Sequence, residues 1–356
     1  MSKPRKKRKA NWKRIALIVT CVFLSLLLVL LAIAGVVLNY LDKSLDKMNY
    51  VTGDTTVSPE DASSMAMEEW ISIDPNDTTP YIDQSEITFP TEFTQPVGQG
   101  DRIVNILLVG QDARKGQGTQ RSDAMILATF NKSTGEITLT SFMRDQYVQI
   151  PGYGATKLCH AYQYGGMSLL NQTLYNYYGV EIHGNVEVNF SGFAEIIDLL
   201  GGVEIKLTEK EADKLNELEG WSLTAGVNKL NGAQALRYSR LRSIDSDFQR
   251  TERQRKVLLS LINAYKNQPV TKMVELLDKI LPLITTNIPK EQIYSYVWEL
   301  FPMLAKTEVG SMRLPASGTF SSGLVEVSEG YMASCQYNID FEANRRILED
   351  LFDEIP

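Results

Sequence analysis

The sequence predicts an α/β fold: a single α-β-α sandwich domain around a mixed β-sheet, preceded by an N-terminal transmembrane helix. Three observations carry this. From Arg102 onward, short apolar runs alternate with segments of helical periodicity, the pattern of a layered α/β domain. Two of those runs, DAMILATF and EITLTSF, are separated only by NKSTG, so they form an antiparallel hairpin and make the sheet mixed. Finally, Ile15 to Tyr40 contains no charged side chain, and about 20 apolar residues suffice to cross a bilayer core.

Residues 1–14 carry eight of the chain's 36 basic residues and no acid. The positive-inside rule keeps this tail in the cytoplasm and puts everything beyond the 15–40 span outside, as a single-pass protein of the cell membrane. A cleaved signal peptide fits less well, because the apolar run is too long and no small-x-small site follows it. The remaining 28 basic residues face 43 acidic ones, which excludes a general nucleic-acid binder. Residues 41–101 hold thirteen acids, two lysines and many Ser and Thr without an apolar period, the composition of a flexible or loosely packed stalk. No linker-like stretch interrupts 102–356, so it reads as one domain.

Within that domain RIVNILLVG is a strand buried on both faces. Leu169, Leu170, Leu174, Tyr177 and Tyr178 recur at helical spacing over Met167–Tyr178, with Gly179 as the stop. VEVNF is a strand, and SGFAEIIDLLGG a helix with Ser191 as its expected N-cap. VEIKL is the next strand, and TEKE from Thr208 has the capping-box pattern. Helical patterns start near Asn231, Asp247, Val270 and Pro289, followed by the strand GSMRLP and the terminal helix NIDFEANRRILEDLF. Cys159 and Cys335 form either a disulfide or two buried thiols; sequence leaves both open.

The charged residues of interest sit at predicted strand ends, where α/β folds place their sites. Asp112 follows the first strand, and Arg121 and Asp123 precede the second. Two carboxylates brought together there could hold Mg²⁺, an oxygen-seeking ion that keeps waters for a phosphate to replace; Asx-turn chemistry is the competing reading. Arg144 and Asp145 leave the third strand, and Lys157, His160 and Tyr162 precede a helix. A lone His is more often a hydrogen-bonded structural residue than a catalyst. There is no zinc-ligand spacing, no G-x-S-x-G and no P-loop.

The strongest signal is RYSRLRSIDSDFQRTERQR, Arg237 to Arg255, with six arginines in nineteen residues of an acidic chain. If Ser246 or Asp247 caps the following helix, Arg250 falls in its first turn, where positive charge opposes the macrodipole. An anion docked on the free N–H groups reverses that penalty. Arg250, Arg253 and Gln254 share a helical face, and Arg240 and Arg242 project together from an extended chain. Anion binding is therefore preferred to a solvated helix face.

Taken together, NILLVGQDAR, RSDAMILATFN, SFMRD, KLCHAYQYGG, GNVEVNFSGFAEIIDLLGGVEI, LNGAQALRYSRLR and DFQRTERQR resemble the LytR-CpsA-Psr family of membrane-anchored cell-wall proteins, in the family's order. The resemblance implies a phosphotransferase that moves a glycopolymer, such as a teichoic acid or capsular polysaccharide, from a polyprenyl-pyrophosphate carrier to a peptidoglycan hydroxyl. It implies Mg²⁺, or Mn²⁺ in its place, at Asp112 and Asp123, with catalytic roles for these two and for Arg144 and Arg240. It also implies a pyrophosphate-binding set of Arg121, Arg144, Arg240, Arg242, Arg250, Gln254 and Lys157, with Asp247 and His160 nearby. Cys159 departs from the family's usual asparagine. The helices after Val257 could line a groove for the carrier's tail or simply belong to the core. A lipid-pyrophosphate hydrolase and a non-catalytic wall-binding or regulatory protein are the alternatives.

Overall fold

The computed structural model describes residues 39–51, 56–67, 71–72, 80–90, 96–97, 100–111, 120–241, 244, 247–306, 309–328 and 330–353. The basic tail and nearly all of the 15–40 span expected to cross the membrane lie outside these residues; no described helix is long and apolar enough to cross a membrane. Contacts divide the chain into Met1–Lys47 and Met48–Pro356. Of the first unit, residues 39–45 are helical. The second holds everything below.

Its strands are β1 (Asn49–Tyr50), β2 (Ile71–Ser72), β3 (Tyr81–Asp83), β4 (Ile103–Gln111), β5 (Ser122–Asn131), β6 (Glu136–Phe142), β7 (Tyr147–Ile150), β8 (Gly154–Lys157), β9 (Gly184–Asn189), β10 (Val203–Leu207), β11 (Gly226–Leu230), β12 (Thr285–Thr286), β13 (Val309–Leu314), β14 (Ser321–Ser328) and β15 (Tyr331–Tyr337). Its helices are α1 (Pro59–Met67), α2 (Cys159–Tyr178), α3 (Phe190–Leu199), α4 (Glu209–Glu219), α5 (Gly232–Ser239), α6 (Asp247–Lys266), α7 (Val270–Ile280), α8 (Lys290–Lys306) and α9 (Phe341–Asp353).

The main sheet has the order β1-β12-β9-β4-β5-β6-β13 and is mixed. The NKSTG turn makes β5 and β6 the expected antiparallel hairpin, while β4 pairs with β9 and β6 with β13 in parallel. Alternation along the strands supplies two apolar faces. Leu107, Val109, Met125, Leu127 and Phe142 pack with Leu170 and Leu174 of α2 and Leu348 of α9. Val104, Ile106, Ile126, Ile137 and Leu139 pack with Leu258 and Leu259 of α6 and Ile293 and Leu300 of α8. Helices therefore cover both faces. The apolar stripes of α6 and α8 serve the core.

Local chemistry sets the helix ends. Thr208 and Glu211 complete the expected capping box of α4, and Asn231 and Gln234 form a second one at α5. The cap of α3 is Asn189 rather than Ser191: Asn189 accepts the Gly192 N–H, and Ser191 Oγ donates to Asn189 Oδ1 at 2.8 Å. Asparagine can cap from the last residue of β9, so the helix starts one residue before the expected cap. Helix α2 reaches back to Cys159, eight residues before the expected start, through a kink at Gly165–Gly166. Gly166 sits at φ +59°, ψ −147°, a region essentially restricted to glycine. Cys159 and Cys335 are buried thiols and do not form a disulfide.

Parts of the 41–101 segment, expected to be a stalk, pair with the domain. β1 pairs with β12, β2 with β15 and β3 with β14, and Val57 N–H donates to the Tyr164 carbonyl at 3.0 Å. Short edge strands are held by backbone hydrogen bonds, so they leave no apolar period to read.

Helices α3 and α5 cross where Gly232 meets Ala194: a Cβ on Gly232 would come within 2.1 Å of the Ala194 carbonyl oxygen. That neighbour is backbone and cannot yield. Gly232→Ala is expected to lower unfolding free energy by about 1–3 kcal/mol, measured by urea denaturation. An unchanged midpoint would show that the two helices can slide apart freely.

Candidate active site

β4, β6, β9 and β13 run one way and β5 runs against them. The residues after β4, before β5 and after β6 therefore meet at one edge. Arg144, just past β6, reaches back across the hairpin: its Nη1 contacts Oδ1 of Asp123 on β5. Its Nε donates to Asp145 Oδ1 at 3.2 Å, and Lys157 Nζ lies 3.3 Å from the same oxygen. The β7–β8 hairpin returns Lys157 to this place, with Tyr147 opposite Lys157 in register and Leu158 N–H on the Gln146 carbonyl.

The row Asp123–Arg144–Asp145–Lys157 is largely buried, with Arg144 only 6% exposed. Its two cations and two carboxylates cancel. Breaking one pair would strand the other charge, a penalty of about 3–5 kcal/mol for a buried pair. The positive charge that would attract a polyanion must therefore come from arginines beside the row.

Those arginines come from the Arg237–Arg255 stretch and the start of β5. Helix α6 begins at Asp247, so Arg250 lies in its first turn, and it is 2% exposed. One turn on, Gln254 Nε2 donates to the Asp123 carbonyl at 3.4 Å. The start of the helix, whose first N–H groups have no partner within the helix itself, is thereby set beside the ion row. Arg121 lies two residues before Asp123 and is half-buried. Arg240 caps the C-terminus of α5, exposed, with its guanidinium carbon 4.2 Å from the Phe190 ring centroid. A cation–π contact of this kind fixes the direction of a long side chain. Asp112 and Arg242 fall outside the described residues, as does the side chain of Asp247.

The other candidates have structural employment. His160 is fully buried, its Nδ1 2.8 Å from Thr156 Oγ1 and its ring stacked on Tyr164. Arg237 pairs with Glu219 at 2.6 Å. Arg253, 1% exposed, contacts the Leu241 carbonyl and lies 3.4 Å from Glu211, the acid of the α4 capping box, thereby tying α6 to α4.

Sequence reasoning missed a second network at the same edge. Glu187 of β9 accepts from Tyr162 Oη and Gln111 Nε2, and Gln111 Oε1 accepts the Gln120 N–H at 3.1 Å. Gln111 and Gln120 are the described residues on either side of the loop that carries Asp112, so the network holds the loop's two ends together. The available signal was an acid between Val186 and Val188, in the inward register of a strand. A cavity of about 160 Å³ beside it is lined by Glu187, Glu195 and Asn189 among others. Two carboxylates make it unsuited to a phosphate.

Burial pushes the Glu187 carboxyl above its ordinary range, while the hydrogen bonds from Tyr162 and Gln111 act the other way. The folded protein thus holds this proton more tightly than the unfolded chain does. The stability it contributes is full below the ordinary carboxyl range and is lost as pH rises through the raised value. As pH rises from the ordinary carboxyl range through the raised value, wild type should therefore lose stability relative to Glu187→Gln. Urea midpoints across this range check it, and parallel profiles would contradict it.

Residues 65–340 match the LytR_cpsA_psr family. A relative from Oceanobacillus iheyensis, polyisoprenyl-teichoic acid–peptidoglycan teichoic acid transferase TagU, is 33% identical over 62% of this chain and 69% of its own. Regulatory protein MsrR of Staphylococcus aureus is 31% identical over 74% of this chain and 78% of its own. Among solved structures, the LytR-CPS2A-psr family protein YwtF (TagT) with bound octaprenyl pyrophosphate lipid is 26% identical. It aligns at a TM-score of 0.54 over 70% of this chain and 90% of its own. With the sheet order, the ion row and the arginine-bearing helix in place, the chain belongs to the LytR-CpsA-Psr family.

Proposed function

We propose that this protein transfers a glycopolymer from a polyprenyl-pyrophosphate carrier to a hydroxyl of peptidoglycan. The observation that carries the reading is the convergence, at one sheet edge, of a charge-balanced row with a helix N-terminus bearing Arg250 and Gln254. Relatives named as teichoic acid transferases and a neighbour holding a polyprenyl pyrophosphate support it. The domain would work outside the cell membrane, anchored by the 15–40 span.

In the reaction the acceptor oxygen attacks the sugar-bearing phosphorus. The bridging P–O bond to the second phosphate breaks, polyprenyl phosphate leaves, and the acceptor proton passes to a nearby base. A phosphodiester remains. Such transfer needs positioning and charge neutralisation more than a covalent nucleophile. Arg250 and the α6 N–H groups hold the pyrophosphate, Gln254 orients against Asp123, and Arg121, Arg240 and Arg242 complete the clamp. Arg144 and Lys157 adjoin the transferred phosphate while pairing with Asp123 and Asp145.

Arg144 contacts Oδ1 of Asp123, and the carboxylate of Asp123 would ligate Mg²⁺, or Mn²⁺, together with Asp112. This all-oxygen donor set suits either ion, which when bound would neutralise charge developing on the phosphates.

The test uses full-length protein in detergent, a polyprenyl-pyrophosphate disaccharide, glycan strands and Mg²⁺. Arg144→Ala and Asp123→Ala should each lower kcat/KM for polymer attachment by about 10²–10³, with circular dichroism unchanged, and chelation of the metal should abolish turnover. Equal product without glycan strands would instead identify a hydrolase, and full activity of both variants would remove the catalytic assignment.

A further inference from the structure

Two arginines outside the clamp form no salt bridge among the described residues. Arg255 of α6 is 7% exposed and donates from Nη1 to Ser141 Oγ at 2.8 Å. Arg313 of β13 lies directly opposite Ser141 in the sheet register, and donates from Nη2 to Ser317 Oγ at 2.6 Å. Its guanidinium carbon stands 4.3 Å from the Phe248 ring centroid, and Phe248 lies 5.6 Å from Phe320. The enclosed Nε atoms of both arginines have no hydrogen-bond partner.

Neither arginine forms a salt bridge with a described carboxylate. Among the described acids Glu252 is the one whose field reaches them, and it is paired at 2.7 Å with Lys256 on the exposed side of α6. Burial weighs against the charged form of Arg255, the charge of Arg313 adds to this, and Glu252 opposes it. Like charges this close, with unused donors, are stabilised by an anion shared between them. Arginine's planar fork suits a phosphate or carboxylate. Phe248 and Phe320, both half-buried, offer an apolar surface to the C–H face of a sugar ring.

We infer that Arg255, Arg313, Phe248 and Phe320 form a second subsite, one strand beyond the clamp, that binds an anionic group carried on a glycan. The inference rests on the transferase reading. Two sources carry such a group: phosphodiesters along the donor polymer, and peptide carboxylates of the acceptor strands.

Steady-state kinetics of the full-length protein in detergent separate them. The donor is a polyprenyl-pyrophosphate disaccharide with or without a short glycerol-phosphate chain, and the acceptor is glycan strands with free or amidated peptide carboxylates. In Arg313→Gln the KM for one charged substrate should rise about tenfold relative to its uncharged counterpart, with kcat nearly constant, while Arg313→Lys recovers part of the loss. A rise confined to the glycerol-phosphate donor assigns the subsite to the polymer, and one confined to the free-carboxylate acceptor assigns it to peptidoglycan. No change, or an equal loss on every substrate, overturns the inference. Wild-type turnover of the uncharged pair would leave the transferase reading intact in either case.

Discussion

The site depends on the contact between Asp123 and Arg144 across the edge of the β5–β6 hairpin. Both groups are mostly enclosed, so each offsets part of the other's desolvation cost. The pair fixes the end of β5 against the end of β6. It gives Gln254 a firm carbonyl to hold, and through Asp145 it secures Lys157 at the end of β8. Because the row is neutral, it can be rigid without excluding or trapping a polyanion by itself. Capture is left to the arginines around it.

The five described arginines of the 237–255 stretch have separate tasks, which explains why one short segment needs so many. Arg250 and Arg240 stand at the two sides of the proposed clamp, the first buried at a helix start and the second exposed on a phenylalanine ring. Arg253 fastens α6 to α4, and Arg237 pairs with Glu219 at the surface. Arg255 faces the sheet with Arg313. On α6 the contacts divide accordingly: Arg253 reaches Glu211 and the Leu241 carbonyl, Gln254 the Asp123 carbonyl, and Arg255 reaches Ser141.

The fold was largely legible because its sheet is made of long, regular strands. The β5–β6 hairpin, the apolar β4 strand and the helix beginning at Asp247 all announce themselves by period and turn chemistry. The short strands β1 to β3, held to their partners by few backbone bonds, did not, nor did the cap at Asn189, which belongs at once to a strand and a helix. At the site, charge at strand ends drew attention to Asp123, Arg144 and Lys157, and the structure joins them through Asp145. Glu187 and Arg313 escaped notice because a single charged residue inside a strand is defined by what packs opposite it, and that partner is distant in sequence: Tyr162 in one case, Phe248 in the other. His160 shows the reverse, a chemically suggestive residue whose ring is occupied by Thr156 and Tyr164.

The most direct measurement is a crystal structure of the full-length protein with a bound polyprenyl pyrophosphate. The account predicts both phosphates at the N-terminus of α6, within hydrogen-bond reach of Arg250 and beside the Asp123–Arg144 pair. Phosphates seated elsewhere, for example in the carboxylate-lined cavity beside Glu187, would contradict it.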